Sequence, residues 1–392
     1  MNPWPPPGYP PHYPMPGGYY PAPGYYAPPP PPLTPPGYLR RERWALALGA
    51  LIALVVSIAG AATGGFLGDL AEAGLMVWPF AIVGWFAHMG VRRFWARVVA
   101  WVVAGLLLLL IVLSLVGMAG EAYPDAAGLR GGVYVAAVVA SLATAVAATP
   151  LARPVMRRLG LRPDDHAHHV ALVLAVGLTA FSLAPLIGTG GRALLLDLMA
   201  RHPERDDHDS VLETLLPLLW IIPGAFVLVG YGVHRGAATC RERLGLRWPG
   251  WRAVGVGVGV GLALVPLALG LDYLLTHATA GLGLPRVDED QLDRLFGVPS
   301  LTLASSVAIA VAAGVGEELA VRGVLQPRLG LVFANLFFAA GHALQYSIDG
   351  VLSVFLLGLV FGALRRRTST IASMAAHAVY DLTLFVLILA GA

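Results

Sequence analysis

From Trp44 onward, the chain alternates long apolar stretches with short polar breaks. There are about eleven such stretches, most of about 15 to 24 residues, and an α-helix needs about 20 residues to cross the hydrocarbon core of a membrane. They lie at 44–64, 73–91, 98–118, 132–151, 169–190, 212–233, 253–275, 300–319, 329–347, 351–364 and 369–390. A backbone in lipid must satisfy its own hydrogen bonds, so each stretch is predicted to be helical. The pattern predicts an all-α, polytopic transmembrane helix bundle of about eleven spans, within a range of about 9 to 12.

The stretch from Val254 to Gly261 alternates valine with glycine. In water this period of two would favour a strand. A lone strand in a bilayer leaves its backbone unpaired, so a helix is predicted here as well. The small-residue pairs that this helix and a later one offer for close packing are Gly255 with Gly259, Gly257 with Gly261, and Gly358 with Gly362. We interpret these pairs as packing faces only.

The polar breaks alternate in charge along the whole chain. Breaks rich in arginine include those around Arg41, Arg93, Arg157 and Arg366, and the breaks between them carry more acid. Basic residues that flank membrane spans stay in the cytoplasm. The pattern therefore predicts an integral, multi-pass protein of a bacterial plasma membrane, with its N-terminus in the cytoplasm and its C-terminus outside.

The composition agrees with a membrane location. Apolar residues make up 57% of the 392 residues and charged residues 12%, with a mean hydropathy of +0.70, which excludes a water-soluble surface. All 26 basic residues are arginine, which excludes Schiff-base chemistry and a P-loop lysine. The single cysteine, Cys240, excludes an intramolecular disulfide and a cysteine-ligated zinc or iron–sulfur site. The net charge of +3 comes from loop arginines and does not indicate a nucleic-acid partner.

The first 38 residues differ from the rest of the chain. They hold 17 of the 31 prolines, 7 of the 13 tyrosines and no charged side chain. Such a Pro/Gly/Tyr-rich segment cannot form a core, and it lacks the basic and apolar regions of a signal peptide. We predict a disordered cytoplasmic tail at 1–38, an N-terminal transmembrane region of about six spans at 39–239, and a C-terminal transmembrane region at 240–392.

Two polar clusters lie in breaks between the spans. One comprises Asp164, Asp165, His166, His168 and His169, and the other runs from Glu204 to Asp209. Their spacing fixes no ligand geometry, so both are interpreted as solvated loops, although adventitious metal contact remains an alternative.

Most of the predicted spans contain no charged side chain, whereas the last four spans and their ends together contain several ionisable ones. These are Glu317, Glu318, Arg322, His342, His377 and Asp381. A charged side chain inside a span costs several kcal/mol and therefore usually has a function. On a helix, Glu318 shares a face with Arg322, and His377 shares a face with Asp381. Two adjacent carboxylates in a low dielectric cannot both ionise cheaply, and an acid or base beside histidine is what water activation needs. These six residues are the candidate catalytic residues.

The rise of a helix gives the depth of three of them at about 1.5 Å per residue. On the predicted bounds, Glu317 lies about 5 Å from the cytoplasmic end of its span and His377 about 12 Å from its own. His342 lies about 20 Å deep if its span begins at 329. The three are predicted to meet only if that span begins later.

Three motifs in this region resemble those of a known family. Residues 317–322 (EELAVR) resemble an E-E-x-x-x-R signature, residues 338–342 (FAAGH) fit F-x-x-x-H, and residues 377–381 (HAVYD) resemble a third block, H-x-x-x-N or a variant. The family is CPBP, the CAAX proteases and bacteriocin-processing enzymes, also called Abi. The resemblance covers about residues 240–392, including residues 243–247 (RLGLR), which are similar to a stretch that often precedes the core.

The resemblance implies an intramembrane endopeptidase related to the type II CAAX prenyl endopeptidases. It implies that Glu317 is the general base for a water and that His342 positions this water or polarises the carbonyl. It further implies that His377 helps to stabilise the oxyanion. Glu318 and Arg322 would orient the site. Such an enzyme acts on a membrane-associated protein or peptide within the lipid bilayer.

Asp381 departs from the family pattern, because the prenyl endopeptidases have asparagine there. An amide donates to an oxyanion, whereas a carboxylate does so only when protonated. The family includes proteins described as metalloproteases and as glutamate-dependent proteases. The chain contains no H-E-x-x-H motif, so we favour a metal-free, glutamate-dependent site. Zinc stays an alternative, with a scattered ligand set of Glu317, His342, His377 and Asp381.

Two other functions compete with a protease. One is a non-catalytic membrane scaffold or a bacteriocin-immunity-type protein with the same fold. The other is a transporter, which the number of spans suggests. A transporter should carry ionisable groups in two related halves, whereas spans one to six contain almost none. The sequence therefore favours the protease.

Overall fold

The computed structural model describes residues 39–161, 163, 165–201, 211–286, 293 and 301–391. The predicted tail at 1–38 lies outside the described residues. The α-helices, numbered in chain order, are α1 (Arg40–Thr63), α2 (Gly65–Leu75), α3 (Trp78–Gly90), α4 (Phe94–Ala122), α5 (Ala127–Ala148), α6 (Arg153–Arg158), α7 (His166–Gly188), α8 (Leu194–Met199), α9 (Val211–Leu228), α10 (Ala237–Leu244), α11 (Trp251–Gly281), α12 (Leu303–Glu318), α13 (Gln326–Gly341), α14 (Ile348–Arg367) and α15 (Thr370–Leu389). A 3₁₀ turn at Pro150–Ala152 and a π-helix at Leu319–Leu325 complete the named elements.

The all-helical, polytopic prediction is confirmed. Within the described residues, nine helical stretches are long and apolar enough to cross a membrane, or ten when the bent pair α2 and α3 counts as one span. The span predicted at 73–91 corresponds to this pair, which is bent by 45°. The break precedes Pro79, near the start of α3, where proline supplies no backbone N–H to continue the helix.

The stretch Leu303–Gly341 is long and apolar enough to count as a single membrane span of 39 residues. Its internal contacts show that it consists of two segments. Gly330 has a non-helical backbone, with φ of 76° and ψ of 178°. Arg322 and Phe338 would be about 24 Å apart along a straight helix, yet the Arg322 guanidinium carbon is 4.4 Å from the centroid of the Phe338 ring. The chain therefore folds back at Gly330, in agreement with the two spans predicted around 300–319 and 329–347.

A π-helix at Leu319–Leu325 continues α12 towards that reversal. Its wider turn leaves backbone carbonyls without their usual helical partners. The Arg243 side chain of α10 fills this role, with Nη1 donating to Gly323 O at 3.1 Å and Nη2 to Val324 O at 3.4 Å. The adjacent Leu244 O accepts from Thr370 Oγ1 at 2.6 Å. Helix α10 thus braces both the π-helix and the start of α15.

Helix α11 packs closely on α15, as the valine–glycine alternation predicts for one of its two faces. A Cβ added at Gly257 would overlap Ala372 O, and one added at Gly261 would overlap Ala376 O. The expectation for Gly255 and Gly259 was wrong, because a Cβ at either position meets no described atom within 4 Å. One glycine face of α11 is a packing face and the other is not.

The solvated-loop interpretation of the aspartate–histidine cluster was wrong for His169. This side chain is buried, accepts from Arg153 Nη2 at 3.3 Å and donates from Nε2 to Ala147 O at 3.2 Å. Asp165 caps the start of α7 by accepting from the backbone N–H of His168 at 2.8 Å. The cluster therefore serves the fold of α7. Asp164 and the second cluster, Glu204 to Asp209, lie outside the described residues.

Candidate active site

Glu318 is the most enclosed group of the site. Its side chain is 0% exposed, and three side chains donate to its carboxylate. His377 Nδ1 lies 3.1 Å from Oε1, while Arg322 Nε and Ser373 Oγ lie 3.3 Å and 2.5 Å from Oε2. A buried carboxylate is tolerated only when it is paired and hydrogen-bonded in this way. Glu318 is thus held in one position and is shielded from water.

Arg322 connects α12 to α13 and α14. Its Nη2 donates to Gly358 O at 2.8 Å and to Asn335 Oδ1 at 3.3 Å. A Cβ at Gly358 would overlap Asn335 Oδ1 and would lie 2.9 Å from Arg322 Nη2. Asn335 Nδ2 in turn donates to Phe355 O at 2.5 Å. Because Gly358 has no side chain, the Arg322 guanidinium can approach the backbone of α14 and bond to Gly358 O.

The same arrangement repeats one turn along. Gln326 Nε2 donates to Gly362 O at 2.8 Å, so Arg322 and Gln326 bind the carbonyls of Gly358 and Gly362 at matching four-residue spacing. The interpretation of these two glycines as a packing face only was therefore wrong. They admit polar side chains from the neighbouring segments.

His377 lies at the centre of the site. Its ring stacks on Phe361 at 4.7 Å with an interplanar angle of 17°. Because Nδ1 bonds to Glu318, Nε2 faces the other two carboxylates, at 3.5 Å from Asp381 Oδ2 and 3.9 Å from Glu317 Oε2. The two ring nitrogens of one histidine thus contact three carboxylates.

Glu317 and Glu318 are neighbours in sequence but differ in environment. The side chain of Glu317 is 38% exposed and that of Asp381 is 18% exposed, against 0% for Glu318. Since α12 turns Glu318 inwards, Glu317 projects from a different face of the helix. A water molecule can reach Glu317 and cannot reach Glu318.

His342 directly follows the end of α13. Its Nδ1 donates to Phe338 O at 2.9 Å, and its ring contacts those of Phe338 and Tyr346 at 4.8 Å and 5.9 Å. Phe338 also contacts His377, at 6.3 Å between ring centroids, so a single aromatic ring lies between the two histidines. With Nδ1 donating in this way, Nε2 is the acceptor nitrogen of the ring in its neutral form.

The reversal at Gly330 places His342 at the level of the glutamates. Arg322 is eight residues before Gly330 and contacts Phe338, eight residues after it. By the same count His342, twelve residues after, is level with Glu318, twelve before. The expected depth of Glu317 was wrong, because the helical chain continues through the π-helix to Leu329. Glu317 lies about 20 Å along the chain from the reversal and His342 about 18 Å.

The residues proposed as a scattered zinc set do not fit a zinc site. Within the described part of the chain, no group of three or more His, Cys, Asp or Glu side chains is arranged to hold a metal ion. The contacts of His342 are with Phe338 and Tyr346 rather than with the other three residues of that set. A zinc ion in a protein requires at least three such ligands.

Residues 299–383 match the family described as type II CAAX prenyl endopeptidase Rce1-like. Residues 299–383 therefore form a domain of the CPBP family, of the Rce1-like CAAX protease type. This CPBP domain begins just before α12, ends within α15 and contains all six candidate residues. The match is narrower than the resemblance at 240–392, since α10 and α11 precede it. The curated proteins and the solved structures gave no match to the chain.

Sequence reasoning missed three residues of this CPBP domain: Ser373, Asn335 and Gln326. Each carried a usable signal. Ser373 precedes His377 by four residues and so shares its helix face, and Gln326 follows Arg322 by four. Asn335 is a polar side chain inside an apolar stretch, which by itself indicates a bonded partner.

Proposed function

We propose that the CPBP domain is an intramembrane endopeptidase, which hydrolyses a peptide bond by a glutamate-activated water. The observation that carries this proposal is the difference between the two adjacent glutamates. Glu318 is buried and bonded to three donors, whereas Glu317 is open to water beside His377. One carboxylate builds the site and the other remains available for chemistry.

In the proposed reaction, Glu317 accepts a proton from a water molecule as the water oxygen attacks the carbonyl carbon of the substrate. The carbonyl oxygen becomes negatively charged in the tetrahedral intermediate. When the C–N bond breaks, the proton on Glu317 passes to the leaving amine. Glu317 thus acts first as a base and then as an acid, which restores its starting state.

His377 is proposed to stabilise the negative charge on that oxygen. Glu318 fixes the proton of Nδ1, and Nε2 faces Asp381 and Glu317 at 3.5 Å and 3.9 Å. With a proton on Nε2, the ring donates either to Asp381 or to the oxyanion. Arg322 and Ser373 act through Glu318 and are positioning residues.

His342 is proposed to position the water. Its Nδ1–H is used by Phe338 O, so in a neutral ring Nε2 is the nitrogen that accepts a hydrogen bond. A neutral ring in this state holds the second proton of the water rather than polarising a carbonyl. This favours one of the two roles that the family resemblance left open for His342.

The test compares the wild type with Glu317→Gln in proteoliposomes. The probe is a farnesylated CAAX-type peptide, with its unprenylated counterpart alongside, and mass spectrometry measures the released fragment. Glutamine keeps the shape but accepts no proton, so turnover should fall by about 10² to 10⁴-fold. Glu72→Gln, an exposed glutamate of α2, is the matched control and should cleave at the wild-type rate. Cleavage by Glu317→Gln at the wild-type rate contradicts the proposal.

The runner-up, a non-catalytic scaffold or immunity-type protein, predicts a different result. Neither peptide is then cleaved by the wild type. In cells, Glu317→Gln should also retain whatever phenotype the gene confers, while the protein inserts normally.

A further inference from the structure

Helix α8 lies in the N-terminal region, outside the CPBP domain, yet it contacts the turn that carries His342. The backbone N–H of Leu195, in the first turn of α8, donates to Leu344 O at 2.8 Å. The Leu344 side chain packs against the apolar cluster of α4, α5, α7 and α8. The loop before α8 approaches the start of α14, since a Cβ at Gly191 would lie 3.0 Å from Ile348 Cδ1. The N-terminal region therefore contacts the chain both within and just after the turn that joins α13 to α14.

That turn is closed on His342 itself. His342 O accepts from the backbone N–H of Gln345 at 3.1 Å and from that of Tyr346 at 2.9 Å. Leu344 lies inside the loop that these two bonds close, and its own carbonyl is bonded to α8. A backbone carbonyl that loses its partner away from water costs free energy. The bond from Leu195 thus holds the turn, and the backbone of His342 with it, against α8.

Helix α8 is in turn fixed to the end of α4. The Asp197 carboxylate accepts from Nε and Nη2 of Arg192, both at 2.8 Å, and from the Tyr123 hydroxyl at 2.7 Å. Arg201 Nε donates to Ala122 O at 2.7 Å. A bidentate arginine–carboxylate pair has a defined geometry as well as strength. The support of the His342 turn therefore continues from α8 into α4.

We propose that α8 positions His342 for the reaction, through the hydrogen bond from Leu195 N–H to Leu344 O. This role rests on the proposed function, in which His342 holds the water, and it gives the N-terminal region a part in the site. Leu195 is a positioning residue, since it acts through Leu344 and His342. A displacement of about 1 Å caused far from the chemistry can cost about 10²-fold in rate, so loss of this bond should lower turnover.

The test replaces Leu195 with proline, which removes the N–H that donates to Leu344 O. Leu195 is the second residue of α8, and proline is tolerated in the first turn of a helix because the N–H there has no intrahelical partner. Leu195→Ala is the matched control, because it also changes the side chain but keeps the N–H. The chain already has proline at the second position of three helices, α3, α6 and α13, as Pro79, Pro154 and Pro327.

Kinetics with the probe peptide that the wild type cleaves gives the first readout. Leu195→Pro should lower kcat by about tenfold or more with little change in KM, whereas Leu195→Ala should stay within about threefold of the wild type. In a His342→Ala background, Leu195→Pro should cost less than about twofold, because the group that it positions is gone. An unchanged kcat in Leu195→Pro, or the same loss in both backgrounds, would overturn the proposal.

Hydrogen exchange gives a second readout that needs no activity. Mass spectrometry of a peptide covering residues 339–350 reports the amides of Gln345 and Tyr346, which are bonded to His342 O. In detergent these should exchange about five- to tenfold faster in Leu195→Pro than in the wild type or in Leu195→Ala. Equal exchange in all three proteins would mean that α8 does not hold the turn. Failure of the proposed function is distinct, since it appears as a wild type that cleaves neither peptide or as an active Glu317→Gln.

Discussion

Two buried histidines, one in each half of the molecule, are held in opposite ways. His169 in α7 donates to Ala147 O and accepts from Arg153, so both of its ring nitrogens are satisfied by groups of the fold. His377 in α15 turns one nitrogen to Glu318 and the other to Glu317 and Asp381. Burial is common to both, so burial does not identify a reactive histidine. The chemistry of the partner does, because a carboxylate can exchange a proton with the ring at ordinary pH, whereas a backbone carbonyl and an arginine do not.

The buried arginines of the two halves show the same contrast. Arg235, in the loop before α10, donates to Val229 O and contacts His234 at 2.7 Å. Arg322 is paired with Glu318 and also reaches Gly358 O on another helix. Arg235 bonds only to groups close to it in sequence. Arg322 joins three segments of the chain around the carboxylate of Glu318. Arg235 holds local structure, whereas Arg322 belongs to a connected network with Glu318, Ser373 and His377.

The largest expected effect tests this contrast directly. His377→Ala removes the Nε2–H group and should lower kcat by about 10² to 10³-fold. His169→Ala removes a buried histidine of similar exposure and should leave kcat within about threefold while lowering thermal stability. Kinetics with the peptide that the wild type cleaves, together with thermal unfolding in detergent, measures both. A large loss of kcat in His169→Ala would abolish the distinction between the two halves.

The next effect separates the adjacent glutamates. Glu318→Gln leaves Arg322 buried without its counter-charge and should cost about 3 to 5 kcal/mol of stability. Glu317→Gln should cost little stability, since its side chain is 38% exposed. Reversible unfolding in mixed micelles measures the difference.

A compensating variant shows whether this loss arises from the unpaired charge. Adding Arg322→Met to Glu318→Gln removes the unpaired cation and should recover most of the lost stability, because a buried ion pair is replaceable by apolar groups of similar volume. Activity should not return, since His377 would still lack its carboxylate. Equal destabilisation by the two glutamine variants would contradict the assignment of Glu318 as the structural member of the pair.

The sequence predicted the helical class, the presence of two segments around 300–347 and the ionisable residues of the site, five of which the structure brings into contact, because apolar stretches and the rare ionisable residues inside them are local signals. It did not predict that α12 continues through a π-helix to Leu329. That continuation depends on Arg243, some 80 residues earlier, bonding the freed carbonyls. The reversal at Gly330, and the space that Gly358 leaves for the side chains of Arg322 and Asn335, also depend on tertiary contacts. A local sequence pattern does not show such contacts.

A smaller effect concerns the glycines. Gly358→Ala places a methyl group against Asn335 Oδ1 and Arg322 Nη2, and such overpacking costs about 1 to 3 kcal/mol. Gly255→Ala, on the open face of α11, meets no described atom within 4 Å and should be neutral or slightly stabilising. Thermal unfolding of the two variants measures this. If Gly255→Ala were destabilised and Gly358→Ala were not, the claim that Gly358 provides space for Arg322 and Asn335 would be contradicted.

The last test asks whether the arginine-rich breaks of the two halves lie on the same side of the membrane. The native cysteine cannot report this by labelling. Cys240 is 0% exposed, and burial raises its pKa to about 12. Maleimide reacts with the thiolate, so folded wild type should stay unlabelled on both sides of the membrane. In a Cys240→Ala background, Arg93→Cys and Trp248→Cys each place a thiol in an exposed, arginine-rich break, one in each half. If such breaks are cytoplasmic, an impermeant maleimide should label both only after permeabilisation. Labelling of just one in intact cells would mean that the charge pattern gives the orientation of one half and not of the other.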